Sequence, residues 1–181
     1  MSTRKQPRQN DDELPTLDVR TPSNYKLANV KFGLKVVKPY LVVLLSDTDK
    51  TGIVDGDQRN GYFIRIDPGE YWRIKFTLDR EMWDWSFDKD PISFKDKNHS
   101  KYYKLISQSA YEVVVDAMSP YPKPDSNHPW PAEENQLFNL YVLMHQSDKK
   151  VYPMTIDPDV KNPPRGGDRK GPISTMAVPL G

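Results

Sequence analysis

A chain of 181 residues is long enough to close one two-layer core and too short for two full domains. Its 26 basic and 25 acidic side chains leave a net charge of +1, so no global field draws in nucleic acid or an anionic membrane. The absence of cysteine excludes disulfides, thiolate metal sites, a thiol nucleophile and iron–sulfur clusters together.

Residues 1–24 hold scattered charges and three prolines but almost no periodic apolar residues, the composition of a disordered tail. Arg4, Lys5 and Arg8 begin a basic arm that Asp11, Asp12 and Glu13 cancel. No signal-peptide core and no run of membrane-spanning length occurs, so the expected setting is the cytoplasm, with neither membrane nor nucleic acid as partner. Val30, Phe32, Leu34 and Val36 alternate with Lys31, Gly33 and Lys35, which predicts a half-buried strand. Tyr40 to Leu45 is a continuous apolar run, as in a central strand covered on both faces. Gly61 to Asp67 reads as a strand, and Asp67-Pro68-Gly69-Glu70 as the turn of a hairpin into Trp72, Ile74, Phe76 and Leu78.

Trp83, Trp85 and Phe87 put three large aromatics on one face of a further strand that Pro91 ends. Tyr102 to Ile106 and Tyr111 to Val115 follow as strands. Residues 116–135 are rich in proline and read as a long stiff loop outside any ladder. Phe138 to Met144 resumes the alternation, Gln146 to Lys149 turns the chain, and Val151 to Ile156 returns as a strand that Pro153 pushes to a sheet edge. Breakers and charges from Asp157 onward predict an extended tail. The expected organisation is a disordered 1–24, an all-β antiparallel sandwich of jelly-roll type over 25–160, and an extended C-terminal tail over 161–181.

Three patterns carry candidate sites. Asp47 to Gln58 offers oxygen ligands at its first, third, fifth and ninth positions (Asp47, Asp49, Thr51, Asp55) with Gly52 sixth, which fits a calcium loop. Gln58 stands where a bidentate Glu belongs, and strands flank the loop where an EF-hand has helices, so a plain polar loop is the competing reading. Trp83 and Trp85, with Tyr71 and Trp72 nearby, offer flat rings to a sugar or a base, against the alternative that they pack the core. Trp130 and Tyr121, held among prolines, either cap the sandwich or present an anchor to a partner. His99, His128 and His145 are far apart and show no metal-ligand spacing, and neither a nucleophile elbow nor a phosphate-cradling Gly-rich loop is present.

Leu41-Val42-Val43-Leu44-Leu45-Ser46-Asp47, Asp67-Pro68-Gly69-Glu70-Tyr71-Trp72-Arg73-Ile74 and the ending Ile156-Asp157-Pro158-Asp159-Val160 together resemble the AidA/PixA family of small bacterial β-sandwich proteins, whose PixA members are associated with inclusion bodies. Ile156 departs from that pattern, standing where an aromatic residue is expected. The resemblance implies a jelly-roll-like sandwich without a catalytic site, able to self-associate, and it carries no site residue across. With no enzyme motif in view, the expectation is a non-catalytic structural or protein-interaction module, a homo-oligomer or a partner of another protein, with no cofactor. The alternative is a ligand-binding module that takes a carbohydrate on tryptophan or calcium in the Asp47 to Gln58 loop.

Overall fold

The computed structural model describes residues 25–38, 40–57, 61–94, 100–119, 134–157, 159–162 and 177–179. Twelve strands account for most of them: β1 (Lys26–Val37), β2 (Tyr40–Asp47), β3 (Val54–Asp57), β4 (Gly61–Arg65), β5 (Tyr71–Leu78), β6 (Trp85–Phe94), β7 (Tyr103–Gln108), β8 (Glu112–Met118), β9 (Glu134–His145), β10 (Val151–Ile156), β11 (Asp159–Asn162) and β12 (Ala177–Pro179). Ser100–Tyr102 form a single 3-10 turn, and no α-helix occurs among the described residues.

One sheet runs β12-β2-β1-β5-β8-β7; the other runs β10-β9-β11-β4-β3, with β6 on the second edge of β9. Alternation decides which side of each strand is inside. Ala28, Val30, Phe32 and Leu34 of β1, Trp72, Ile74, Phe76 and Leu78 of β5, and Val113, Val115 and Ala117 of β8 are all buried and share the inward face of the first sheet. Trp85, Phe87 and Ile92 of β6 and Phe138, Leu140 and Val142 of β9 answer them from the second sheet. Phe76 joins the layers, its ring 5.6 Å from Phe32 and 6.0 Å from Phe138, within the range at which tilted rings attract. The expected all-β two-sheet architecture is what the chain forms. It is not wholly antiparallel, since β1 with β5 and β4 with β11 pair in parallel.

Several local expectations are corrected. Asp67 to Glu70 makes the predicted tight turn, with Gly69 at φ 77° and the Glu70 amide bonded to the Asp67 carbonyl at 3.0 Å. It joins no hairpin, because β4 belongs to the second sheet and β5 to the first. Ile66 and Pro68 are buried, so the turn is a corner over which the chain crosses the core. β2 lies beside the edge of its sheet, and β1 and β5 hold the centre. β6 runs through Pro91, and its register against β9 shifts between Phe87 and Ile92, where a missing amide donor costs no ladder bond. β8 extends to Met118 and β9 begins at Glu134, because the prolines of the intervening sequence run only from Pro120 to Pro131. β11 crosses the expected boundary after residue 160, and Ala177–Pro179 pair with β2. The expected tail over 1–24 lies outside the described residues. Pro153 sits on the outermost strand of its sheet, as its lost donor requires.

Candidate functional site

Where the chain turns from β4 into β5, five charged side chains form one connected rim at an end of the sandwich. Glu70 closes the corner, its Oε2 accepting from the Asp67 amide (3.4 Å) and from the indole Nε1 of Trp72 (2.7 Å). Trp72 stands opposite Lys26 in the parallel β1–β5 ladder, which brings the Lys26 ammonium onto the same Glu70 carboxylate and 5.0 Å from the Trp72 ring centroid. On the other side of the turn, Arg65 ends β4. Its Nε and Nη2 donate to the two oxygens of Asp67 at 2.8 and 3.3 Å, a forked pair, and Asp55 of β3 lies 4.0 Å from its Nη1. The Asp67 hydrogen bond holds the Arg65 guanidinium above its ordinary value against the opposing effect of burial, with Asp55 and Glu70 adding to the rise. Two cations and three carboxylates from β1, β3, β4 and the β4–β5 turn thus link both sheets at one rim.

A second polar group lies on the outward face of the first sheet. Arg73 Nε and Nη2 donate to Asp116 at 2.7 and 2.9 Å, its Nη1 donates to the Tyr25 hydroxyl at 3.2 Å, and its guanidinium carbon is 4.6 Å from the Tyr25 ring centroid. The Asp116 side chain is 0 % exposed, so this pair clasps β5 to β8.

The residues singled out in the sequence fall elsewhere. Asp47, Asp49 and Thr51 do come together. The Asp47 carboxylate accepts from Thr51 Oγ1 (2.9 Å), the Gly52 amide (2.7 Å) and the Asp49 amide (3.2 Å), and Asn29 Nδ2 donates to Asp49 (2.5 Å). Asp55 leaves that group and faces Arg65. Among the described residues, no three His, Asp or Glu side chains gather in a metal-holding arrangement. Trp85 is a core residue, 0 % exposed, with Nε1 donating to the Asp79 carbonyl at 2.7 Å. Trp83 is half-buried against the core and donates to the Leu34 carbonyl at 3.2 Å. Trp130 and Tyr121 lie outside the described residues.

Sequence reasoning missed the rim because its members are ordinary surface charges until the β1–β5 pairing and the β4–β5 corner bring them together. The available signal was the spacing of Arg65-x-Asp67 and Glu70-x-Trp72, which sets each pair on one side of the extended backbone. Also unforeseen is Ser86 Oγ at 2.9 Å from His145 Nε2, a contact across 59 residues.

Fold and rim together define an all-β, two-sheet protein with a charged rim at one end; architecture alone assigns no chemistry. A family model described as "Predicted novel nucleotide synthetase" matches residues 9–165, and the chain belongs to that family. This corrects the resemblance to the AidA/PixA proteins. It also overturns the reading as a non-catalytic, self-associating interaction module, and with it the expectation that the protein is not an enzyme, because the family is one of predicted synthetases. No curated protein matches the chain. No helix among the described residues is long and apolar enough to cross a membrane.

Proposed function

We propose that the protein is an enzyme that synthesises a nucleotide and that the rim of Lys26, Asp55, Arg65, Asp67 and Glu70 binds its anionic substrate. The observation that carries the reading is the family match over residues 9–165. The rim supports it chemically. A guanidinium fork and an ammonium are the side chains that hold phosphate oxygens, and carboxylates accept hydrogen bonds from ribose hydroxyls. In the free protein each cation is neutralised by a neighbouring carboxylate, so substrate binding exchanges Arg65–Asp67 and Lys26–Glu70 contacts for contacts to phosphate and sugar. A cytoplasmic setting, where nucleotides are abundant, fits this activity.

The test is direct. Purified protein is incubated with a panel of nucleoside mono- and triphosphates, and new nucleotide products are sought by mass spectrometry, with binding followed by calorimetry. Product is expected with the unaltered chain, and Arg65→Gln is expected to weaken nucleotide binding at least tenfold. Lys26→Gln should have a smaller effect, because the ammonium supplies a single point charge. Absence of any product, together with equal nucleotide binding by the Arg65→Gln variant, sinks the proposal.

A further inference from the structure

Arg65 pairs with Lys161, and Lys161 with Asn135 near the start of β9, whereas His145 is the last residue of that strand. Ser86 and His145 therefore lie at the end of β9 remote from the charged rim. Ser86 stands opposite Leu143 in the β6–β9 ladder, which places it diagonally across from His145 on the outward face. The residues on either side of Ser86 hold its strand rigid, since Trp85 is 0 % and Phe87 4 % exposed in the core. The histidine is fixed as well. Its amide donates to the Asp84 carbonyl at 2.8 Å, and β10 pairs with it through Val151.

A serine hydroxyl within hydrogen-bond reach of an imidazole nitrogen is the arrangement that makes a weak alcohol nucleophilic, provided the neutral ring carries its proton on Nδ1 and accepts at Nε2. The surroundings point to the class of substrate. Leu143 faces Ser86, Pro153 faces Leu143 and Val151 faces His145, so the cross-strand neighbours are apolar. Asp84 and Asp88 flank Ser86 two residues away on each side; Asp84 is held by Arg80 at 3.3 Å, which leaves the Asp88 carboxylate to disfavour a phosphate. An uncharged ester fits this setting and a nucleotide does not.

We infer that Ser86 and His145 form a nucleophile–base pair that accepts an acyl group from a small uncharged ester, an activity separate from nucleotide synthesis. Ser86 Oγ adds to the ester carbonyl carbon while its proton passes to His145 Nε2. The carbon–oxygen bond to the leaving alcohol then breaks, the alcohol departs with that proton, and acyl-Ser86 remains. Water, deprotonated by His145, attacks the acyl carbon; the bond to Oγ breaks, Oγ regains the proton, and the carboxylic acid leaves.

Two measurements test this on the whole chain. With 4-nitrophenyl acetate, peptide mass spectrometry should find acetyl on Ser86, and Ser86→Ala and His145→Gln should each release 4-nitrophenolate at least tenfold more slowly. Acetyl found only on lysines, or an unchanged rate in both variants, overturns the inference. The second measurement uses the natural absence of cysteine, because Ser86→Cys introduces the only thiol in the chain. The pH profile of its alkylation by iodoacetamide should have its midpoint below the usual thiol value of about 8.5, and adding His145→Gln should return it there. A midpoint at the ordinary value with the histidine in place means that no base acts on this position and refutes the pairing. Arg65→Gln is expected to leave both readouts unchanged, which separates them from the nucleotide activity.

Discussion

The outward face of the first sheet and the β6–β9 part of the second sheet's outward face are built from the same alternating strands, yet they manage polarity in opposite ways. The first sheet sets opposite charges side by side across its strands: Arg73 with Asp116, Lys75 with Glu112 at 3.4 Å, and Lys31 with Asp79 at 3.9 Å. The β6–β9 part of the second sheet's face joins neutral groups instead. Ser86 meets His145 at 2.9 Å, and Ser93 Oγ lies 2.7 Å from the Tyr141 hydroxyl, with Asn139 Nδ2 at 3.5 Å from the same serine. Paired charges hold strands together and are spent in doing so. A hydroxyl beside an imidazole keeps a proton to transfer and a lone pair to donate, so the same pleated surface is a clasp on one side and a reactive face on the other.

The largest expected effect lies in the clasp. Arg73→Met leaves the Asp116 carboxylate, 0 % exposed, without its forked partner, and such a loss typically costs about 3 kcal/mol or more. Urea unfolding should show this as a lower midpoint, and Arg73→Met combined with Asp116→Leu should recover most of it, since two apolar residues leave no charge to desolvate. A single-variant cost below about 1 kcal/mol would mean that Asp116 finds water, and the contrast between the faces would fail.

Between the faces, the interior supplies a pH-dependent check. Tyr103 is 4 % exposed and packs against Phe94 and Phe138, with ring centroids 5.1 and 5.8 Å away. Burial pushes its phenol above the ordinary 10.0. A group whose folded value is raised contributes stability that is fully present below its unfolded value and is lost as pH rises. Stability should therefore fall as pH climbs above about 10, where the unfolded chain ionises this phenol and the folded chain does not. Tyr103→Phe should flatten that part of the curve. An equal slope in both proteins would place the ionisation elsewhere.

How much of this is legible in the sequence depends on the range of each interaction. Alternation acts between neighbours two residues apart, so the inward sets of β1, β5, β8 and β9 can be read from the residue pattern by itself. The corner at Asp67 to Glu70 is readable as a turn but not as a crossing, because Pro68 and Gly69 specify local dihedrals and say nothing about which strand β5 will join. It joins β1 in parallel, a pairing across 46 residues between Lys26 and Trp72. The rim depends on that pairing, and Ser86 with His145 depends on the β6–β9 ladder, so both are hidden for the same reason. The resemblance to the AidA/PixA proteins rests on short pieces that any strand-and-turn sequence shares, and the family match over most of the chain supersedes it.

A smaller effect is expected on the reactive face. Ser86→Ala removes one neutral hydrogen bond and leaves a half-buried imidazole that water can reach, so the loss should stay within about 1 kcal/mol. Unfolding curves should show it as a slight shift, in contrast to the tenfold or greater loss of ester turnover. A destabilisation as large as that of Arg73→Met would mean that the serine is a structural clasp too, and the difference between the two faces would collapse.

The smallest effect concerns Lys75 and Glu112, 44 % and 43 % exposed, which lie on the same face as the clasp but in water. Their 3.4 Å contact is close enough for a bridge, yet solvent screens the attraction and ordering two long side chains offsets part of it. A double-mutant cycle with Lys75→Ala and Glu112→Ala should give a coupling of about 0.3 kcal/mol that vanishes in molar salt. The Arg73–Asp116 coupling, measured the same way, should persist in salt because one partner has no contact with the solvent. If both couplings faded together, burial of Asp116 would not be what distinguishes them, and the first face would be a row of equivalent surface bridges with no clasp among them.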